Sequence, residues 1–232
     1  MIIYSSDTNS RLRSLLIVII ILLSFLTVSA QELQITREVD EALNIAKSGK
    51  FEQAIPVLKK NAEIPGFDAY KALEINIYLN LSYLVTKDKA LDVGRVNELT
   101  ETYVTKHGIS KTDSLKSTDE MKLLYVAGLI NSNVGNNGKM ILFYSIIKSY
   151  YEVNHLKFDK SFSVLIYQLA QGYLNLKDYK SAIETGQKAW NINRELFSEK
   201  NEESLAIIEI LYACGYSGDA DPLSGHVDPH QG

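Results

Sequence analysis

The sequence predicts an all-α protein, an α-solenoid of tandem antiparallel helix pairs. Apolar residues recur at three- and four-residue steps through most of the chain, which is the spacing of one helix face. Short polar turns interrupt this pattern at regular intervals, and their central residues are Gly49, Lys87, Gly135, Lys177 and Gly218. Because a short turn makes two successive helices antiparallel neighbours, the pattern predicts stacked helix pairs.

Composition bounds the size and the partners of this array. The chain has 232 residues, of which 46% are hydrophobic and 22% are charged, as in a globular domain or a single elongated array. Its formal net charge is −4, and no stretch of the sequence is rich in Lys and Arg. Binding to phosphate backbones needs clustered basic residues, so the sequence argues against nucleic acid as a partner.

The best-formed helix pair is predicted from Ile166 to Arg194. Its first helix carries an apolar face, and Asp178 can cap the second helix after a tight turn. Small alanines allow the two backbones to approach, and aromatic rings fill the space beside them. The residues predicted to face inward are Ile166, Leu169, Ala170, Tyr173, Leu176, Tyr179, Ala182, Ile183, Ala189 and Trp190.

This pair resembles a tetratricopeptide repeat (TPR). The family pattern is Leu-Ala, then Tyr, a short turn, an aromatic residue, and two alanines seven residues apart. The residues that match it in register are Leu169, Ala170, Tyr173, Tyr179, Ala182 and Ala189. The resemblance implies a scaffold to which a protein or peptide docks.

A second match to the TPR pattern lies near the start of the array. Ala42, Phe51 and Ala54 occupy the corresponding positions of a helix pair that spans Leu33 to Ala62. This unit departs from the pattern in two places. Asn61 replaces the second alanine, and Pro56 lies inside the second helix, where proline removes a backbone hydrogen bond and bends or shortens the helix.

The spacing of the turns extends the resemblance over residues 33–219. The turn residues are separated by 38, 48, 42 and 41 residues. This period exceeds the TPR length of about 34 residues, and it is similar to the long-helix variant of kinesin light chains. The two middle pairs depend on helix pairing and spacing alone. For them, an armadillo-like or irregular stack of helical hairpins remains the alternative.

Residues 1–30 resemble a signal peptide. Arg11 and Arg13 precede an apolar run from Leu15 to Val28, and small residues end at Ala30. The run is 14 residues long, shorter than the roughly 20 residues of a membrane-spanning helix. We therefore expect cleavage after Ala30 and a secreted or periplasmic protein. The alternative is an uncleaved anchor, through which alone the protein would contact a membrane.

The chain is predicted to end in half a repeat followed by a tail. Residues 31–218 form the repeat region, and residues 219–232 have no period and predict a disordered segment. The last helix, Glu203 to Tyr216, has no second helix to cover it. Four apolar residues would then be partly uncovered, and a truncated chain, a homodimer or a partner's helix would each account for them: Leu205, Ile208, Leu211 and Tyr212.

No catalytic motif is present in the sequence, and we predict neither an enzyme nor a cofactor. His226, Asp228 and His230 could ligate a metal, but they lie on a tail with no residues to orient them, so no metal site is predicted. Cys214 is interpreted as a small, buried apolar residue. Gly94 and Gly186 are interpreted as sites of close helix contact.

The TPR resemblance places partner binding in a groove lined by the first helix of each pair. In the best-formed unit, the groove positions are held by Tyr167, Gln171, Leu174 and Asn175. Chaperone adaptors hold a terminal carboxylate with a Lys and an Asn. The matching residues here are Tyr167 and Gln171, and Val39 and Leu43 in the first unit, so that clamp is absent.

Two functions remain open from the sequence. The first is an exported, non-catalytic TPR-type scaffold that binds a protein or peptide in its concave groove. The second is an N-terminal targeting or sensory repeat region of a larger signalling or enzymatic protein whose effector domain is absent from this chain.

Overall fold

The computed structural model describes residues 33–64, 66–109, 117–197 and 202–214, and they form nine α-helices. The helices alternate in direction as four antiparallel pairs and one final helix. Their bounds are α1 (33–47), α2 (Phe51–Asn61), α3 (Ala69–Thr86), α4 (Val93–Lys106), α5 (Thr118–Asn133), α6 (Asn137–Val153), α7 (Lys160–Asn175), α8 (Tyr179–Leu196) and α9 (Glu202–Ala213).

Side-chain caps fix where most of these helices begin. The sequence predicts Asp159, Asp178 and Asn201 as caps of α7, α8 and α9. Asp159 accepts a hydrogen bond from the amide of Phe162, and Asp178 accepts one from the amide of Ser181, whereas Asn201 lies outside the described residues. The Ser-x-x-Glu spacing of Ser117 and Glu120 also predicts a capping box before a helix at Met121; the box is present, and α5 begins three residues earlier, at Thr118.

Each turn between the two helices of a pair contains one residue with left-handed backbone. These residues are Gly49 (φ 84°), Lys87 (φ 57°), Gly135 (φ 77°) and Lys177 (φ 62°). Glycine enters this region without penalty, whereas a residue with a Cβ atom is strained there. The four turns therefore share one left-handed residue, and in two of them lysine stands where glycine is favoured.

The helices form two layers. Among the first helices, α3 packs on α5 and α7 packs on α9, whereas the second helices α4, α6 and α8 make little contact with one another. In a curved stack, the helices of the inner layer lie closer together than those of the outer layer. The first helices make these closer contacts, so they form the concave side. The two middle pairs have the same hairpin arrangement as the outer ones.

Small residues let the helices of a pair come close. Ala54, Ala182 and Ala189 are fully buried between helices. At Gly128 the approach is closest, because an added Cβ would lie 2.1 Å from the ring of Tyr144 on α6. An added Cβ at Gly186 would lie 3.0 Å from Leu211, which confirms the predicted close contact there.

Three residues of the best-formed pair and its neighbours lie elsewhere than predicted. Tyr179 is 47% exposed and Leu176 is 53% exposed, because both lie at the turn between α7 and α8, beyond the point where the helices cross. Gly94 is exposed and faces only its own cap, Asp92, so it makes no close helix contact.

Candidate functional site

A cleft opens on the concave side between α5 and α7. These two first helices make almost no direct contact, in contrast to α3 with α5 and α7 with α9. The cleft has a volume of about 580 Å³. It is lined by residues of α3, α5, α6 and α7 and of the connector before α7: Tyr78, Thr118, Met121, Lys122, Tyr125, Val126, Ile147, Tyr151, Asp159, Lys160, Ser161, Phe162, Val164 and Leu165.

A stack of three aromatic rings joins the start of α7 to α6. The ring of Phe162 lies 4.4 Å from the ring of Tyr151 on α6 and 4.6 Å from that of Phe158 in the connector. Lys188 of α8 packs over Phe158 and Phe162 and pairs with Glu152. Of these groups, Tyr151 and Phe162 line the cleft.

The interior of the cleft is apolar, with phenol groups as its main hydrogen-bonding partners. Burial raises the pKa of Tyr78, Tyr125 and Tyr151 above the ordinary value, so their hydroxyls remain protonated at neutral pH. The carboxylate of Asp159 is engaged by the amide of Phe162. Lys122, at the rim, pairs with the exposed Asp119 on its own helix at 2.9 Å. Such a lining suits an apolar side chain with polar groups around it.

A smaller and more polar cavity of about 260 Å³ lies beside the cleft and shares Tyr78 and Lys122 with it. Its central group is the buried carboxylate of Glu74, which accepts hydrogen bonds from Lys47 at 2.6 Å and from Lys71 at 2.9 Å. Burial, and next the charge of Glu74, raise the pKa of Tyr70 to about 12. The buried carboxylate is thus fully paired within the fold and stabilises the contact of α1 with α3.

The groove residues predicted from sequence lie on the other half of α7. Tyr167, Gln171 and Leu174 are half-buried, Asn175 is exposed, and none of the four lines the cleft. Gln171 donates to Asn175, which donates to Asn137 at the start of α6. These residues stay a prediction for partner binding.

Two residues assigned to groove positions in the first unit cannot contact a partner. Val39 and Leu43 are 0% and 1% exposed and belong to the core between α1 and its neighbours. These two positions are therefore not part of any groove surface, and no carboxylate clamp could be formed there.

The open end of the array is smaller than the sequence predicts. Leu211 and Ile208 are 3% and 7% exposed, because α9 packs on both α7 and α8, with Leu211 directly over Gly186. Only Leu205 and Tyr212, of the four apolar residues predicted to be uncovered, are exposed, at 59% and 64%. The prediction of an uncovered face is therefore wrong for Ile208 and Leu211.

Within the described ranges, no group of His, Cys, Asp and Glu side chains could hold a metal ion. The tail residues His226, Asp228 and His230 lie outside those ranges. Cys214 is half-buried, and burial raises the pKa of its thiol, which lowers its reactivity. None of the described helices is long and apolar enough to span a bilayer.

Solved structures with the same arrangement of helices are TPR-like repeat proteins. A Podosopora anserina kinesin light chain with nearly identical TPR-like repeats is 13% identical and has a TM-score of 0.57; the match covers 79% of this chain and 88% of that one. MamA of MSR-1 is 18% identical, with a TM-score of 0.55 and the same coverage. MamA of AMB-1 is 19% identical, with a TM-score of 0.54, over 80% of this chain and 85% of that one.

The fold is a TPR-like α-solenoid. This confirms the predicted fold class and extends it over the middle pairs, for which the sequence left an armadillo-like stack open. Neither a family model nor a curated protein sequence matches the chain. At these identities, the likeness concerns the fold.

Sequence reasoning missed the cleft because its lining comes from four elements with different roles. Tyr125 and Tyr151 are indistinguishable in sequence from core aromatics, and both are half-buried. One signal was available: Phe158 and Phe162 lie four residues apart around the predicted cap Asp159, which indicates an aromatic cluster at the start of α7.

Proposed function

We propose that this protein is an exported, non-catalytic scaffold that binds a protein partner on its concave side, with the cleft between α5 and α7 as the main docking site. One observation carries the proposal: first helices that pack together elsewhere in the array part at this point. The resulting cleft is lined by aromatic and aliphatic side chains and has the size of a ligand-binding pocket.

The lining indicates the chemistry of the partner segment. An extended peptide or a helix that inserts one or two bulky apolar side chains would displace water from Tyr78, Val126 and Val164, while the phenol groups bind its polar atoms. Export is supported by the residues before the array, where Arg11 and Arg13 precede a short apolar run that ends in small residues.

The test uses a displayed library of short random peptides, selected on the wild-type protein. Val164→Trp fills the cleft, and Leu142→Trp places the same ring on α6, at a residue that is 44% exposed and outside the cleft. Selected peptides should bind Val164→Trp about thirtyfold more weakly, since an anchor in a pocket contributes at least about 2 kcal/mol, and should bind Leu142→Trp as they bind wild type.

The groove residues predicted from sequence give a second arm. Tyr167→Ala combined with Gln171→Ala removes two neighbouring groups from the other half of α7 without touching the cleft. Loss of binding in this double variant alone would keep the concave side as the docking surface and move the site to the C-terminal half of α7. Unchanged binding in both Val164→Trp and the double variant would contradict the proposal.

A further inference from the structure

The turns that join the two helices of each pair lie together along one edge of the solenoid. This follows from the topology, because α1, α3, α5 and α7 all run in one direction and end at the same side. We define the turn edge as residues 48–50, 85–92, 134–139 and 176–180.

The turn edge is basic, although the whole chain is acidic. It contains six lysines and three aspartates, whereas the chain has 24 Lys and Arg against 28 Asp and Glu. The carboxylates of Asp88, Asp92 and Asp178 each accept a hydrogen bond from a backbone amide in the same turn or helix start. The three carboxylates of this edge are thus hydrogen-bonded to backbone amides.

The lysines of the turn edge are mostly free to meet an external anion. Lys139 pairs with Glu101 of α4. The other five are exposed, and among the described residues none of their side chains has a hydrogen-bond or ion-pair partner: Lys50, Lys87, Lys89, Lys177 and Lys180.

Two of these lysines occupy positions that favour glycine. Lys87 and Lys177 have φ values of 57° and 62°, at the turn position that Gly49 and Gly135 hold in the other pairs. Left-handed backbone strains a residue with a Cβ atom, and the other two turns show that glycine fits the same geometry. A strained residue that the fold does not require is a sign of function.

Apolar side chains stand between the lysines on the same edge. Val85, Val134, Leu176 and Tyr179 are 44–53% exposed, and they are four of the nine large apolar residues exposed among those described. They occur in three successive turns, one in each of the first two and two in the last. A bilayer surface accommodates such a row, because apolar side chains enter the headgroup region while lysines reach the lipid phosphates.

We propose that the turn edge docks the solenoid on the surface of a membrane that contains anionic lipids. Charge complementarity favours this occupant, since a basic edge on an acidic protein orients the molecule toward a negative surface and leaves the concave side open for a partner. The inference does not depend on the peptide-binding proposal, because the turn edge includes no residue that lines the cleft.

The test measures partition of the full chain onto vesicles of phosphatidylcholine alone and onto vesicles in which part of it is replaced by phosphatidylglycerol. Wild type and variants carry the same apolar run Leu15–Val28 with Arg11 and Arg13 before it, so differences between them report on the turn edge. The wild type should prefer the anionic vesicles, and this preference should fall with added salt. Lys87→Gly with Lys177→Gly should weaken anionic partition about 25-fold, since a lysine near such a surface contributes about fivefold.

This double variant keeps the fold, because glycine suits left-handed backbone, and an unchanged melting temperature verifies that. Lys106→Ala with Lys157→Ala removes two exposed lysines from the opposite edge and should partition as the wild type does. Leu176→Ser with Val134→Ser should reduce binding without changing its salt dependence. Equal wild-type partition on both vesicle types, or equal losses in the two lysine variants, would overturn the proposal.

Discussion

The fourth helix pair and the first solve the same packing problem with different residues. In α8, Ala182 and Ala189 lie seven residues apart and are fully buried. In α2, the equivalent positions are Ala54, also fully buried, and Asn61, which is 1% exposed. α8 is 18 residues long, whereas α2 is 11 residues long and contains Pro56.

The comparison shows how the repeat tolerates a polar residue at a close helix crossing. The amide nitrogen of Asn61 donates to the carbonyl of Val57 on its own helix at 2.8 Å. Its Oδ1 atom is buried and accepts no hydrogen bond from the described residues. The amide nitrogen of Asn61 is thus hydrogen-bonded within its own helix. The buried Oδ1 atom has lost its hydrogen bonds to water, and this lowers the free energy of unfolding.

The largest expected effect comes from moving the polar residue into the well-formed pair. Ala189→Asn places an amide in a fully buried site of α8, so we expect a loss of about 3 kcal/mol from overpacking and an unsatisfied polar group. Thermal unfolding measures it. Glu184→Asn, at an exposed position of the same helix, should change the midpoint little, and a loss of equal size there would contradict the account.

Added bulk at the first alanine should affect the two pairs unequally. Ala182→Leu should lower stability by about 2 kcal/mol, because α8 is packed between α7 and α9. Ala54→Leu should cost less, because α2 is shorter than α8 and can shift more easily. Denaturant midpoints compare them, with the exposed Lys180→Leu as control. If Lys180→Leu destabilises as much as Ala182→Leu, the repeat register is wrong.

Restoring the missing backbone hydrogen bond should strengthen the first pair. Pro56 is exposed and lies at the sixth position of α2, so Pro56→Ala allows a bond to the carbonyl of Glu52. A gain of about 2 kcal/mol is expected, since an interior proline costs about 3 kcal/mol in a straight helix. Circular dichroism during thermal unfolding measures it, and a lower midpoint would mean that the proline ring contributes to packing.

The smallest expected effect is the reverse of the first. Asn61→Ala restores the second alanine of the repeat pattern and removes the unsatisfied Oδ1 atom. It should raise the free energy of unfolding by about 1 kcal/mol. Removing the unsatisfied Oδ1 atom stabilises the fold, and this gain outweighs the loss of the hydrogen bond to Val57. Chemical denaturation with an unchanged slope would show that the gain belongs to the folded state. A loss instead would show that the asparagine is better packed than an alanine.

Much of the fold follows from the sequence because its causes are local. Helix faces, capping residues such as Asp159 and Asp178, and the left-handed turns each depend on a few neighbouring residues. The burial of Leu211 does not depend on neighbouring residues in the sequence. It depends on Gly186, whose missing side chain leaves room on α8 for α9 to pack closely.

The candidate surfaces are harder to predict than the fold, since they depend on how the pairs are stacked. The cleft depends on how α5 and α7 are placed relative to each other, and its lining combines residues of α3, α5, α6 and α7 that are far apart in the sequence. The basic turn edge is also hidden in the linear sequence. Its lysines are spread over more than a hundred positions, from Lys50 to Lys180, and only the repeat period brings them to one side.

Amide hydrogen exchange on the wild-type protein, free and with a selected peptide bound, tests the docking proposal most directly. Slower exchange should appear in residues 118–126 of α5 and 160–165 of α7, the two stretches that border the cleft. The turn edge and the exposed side of α9 should exchange as in the free protein. Protection confined to α9, around Leu205 and Tyr212, would contradict the account and assign binding to the open end of the array.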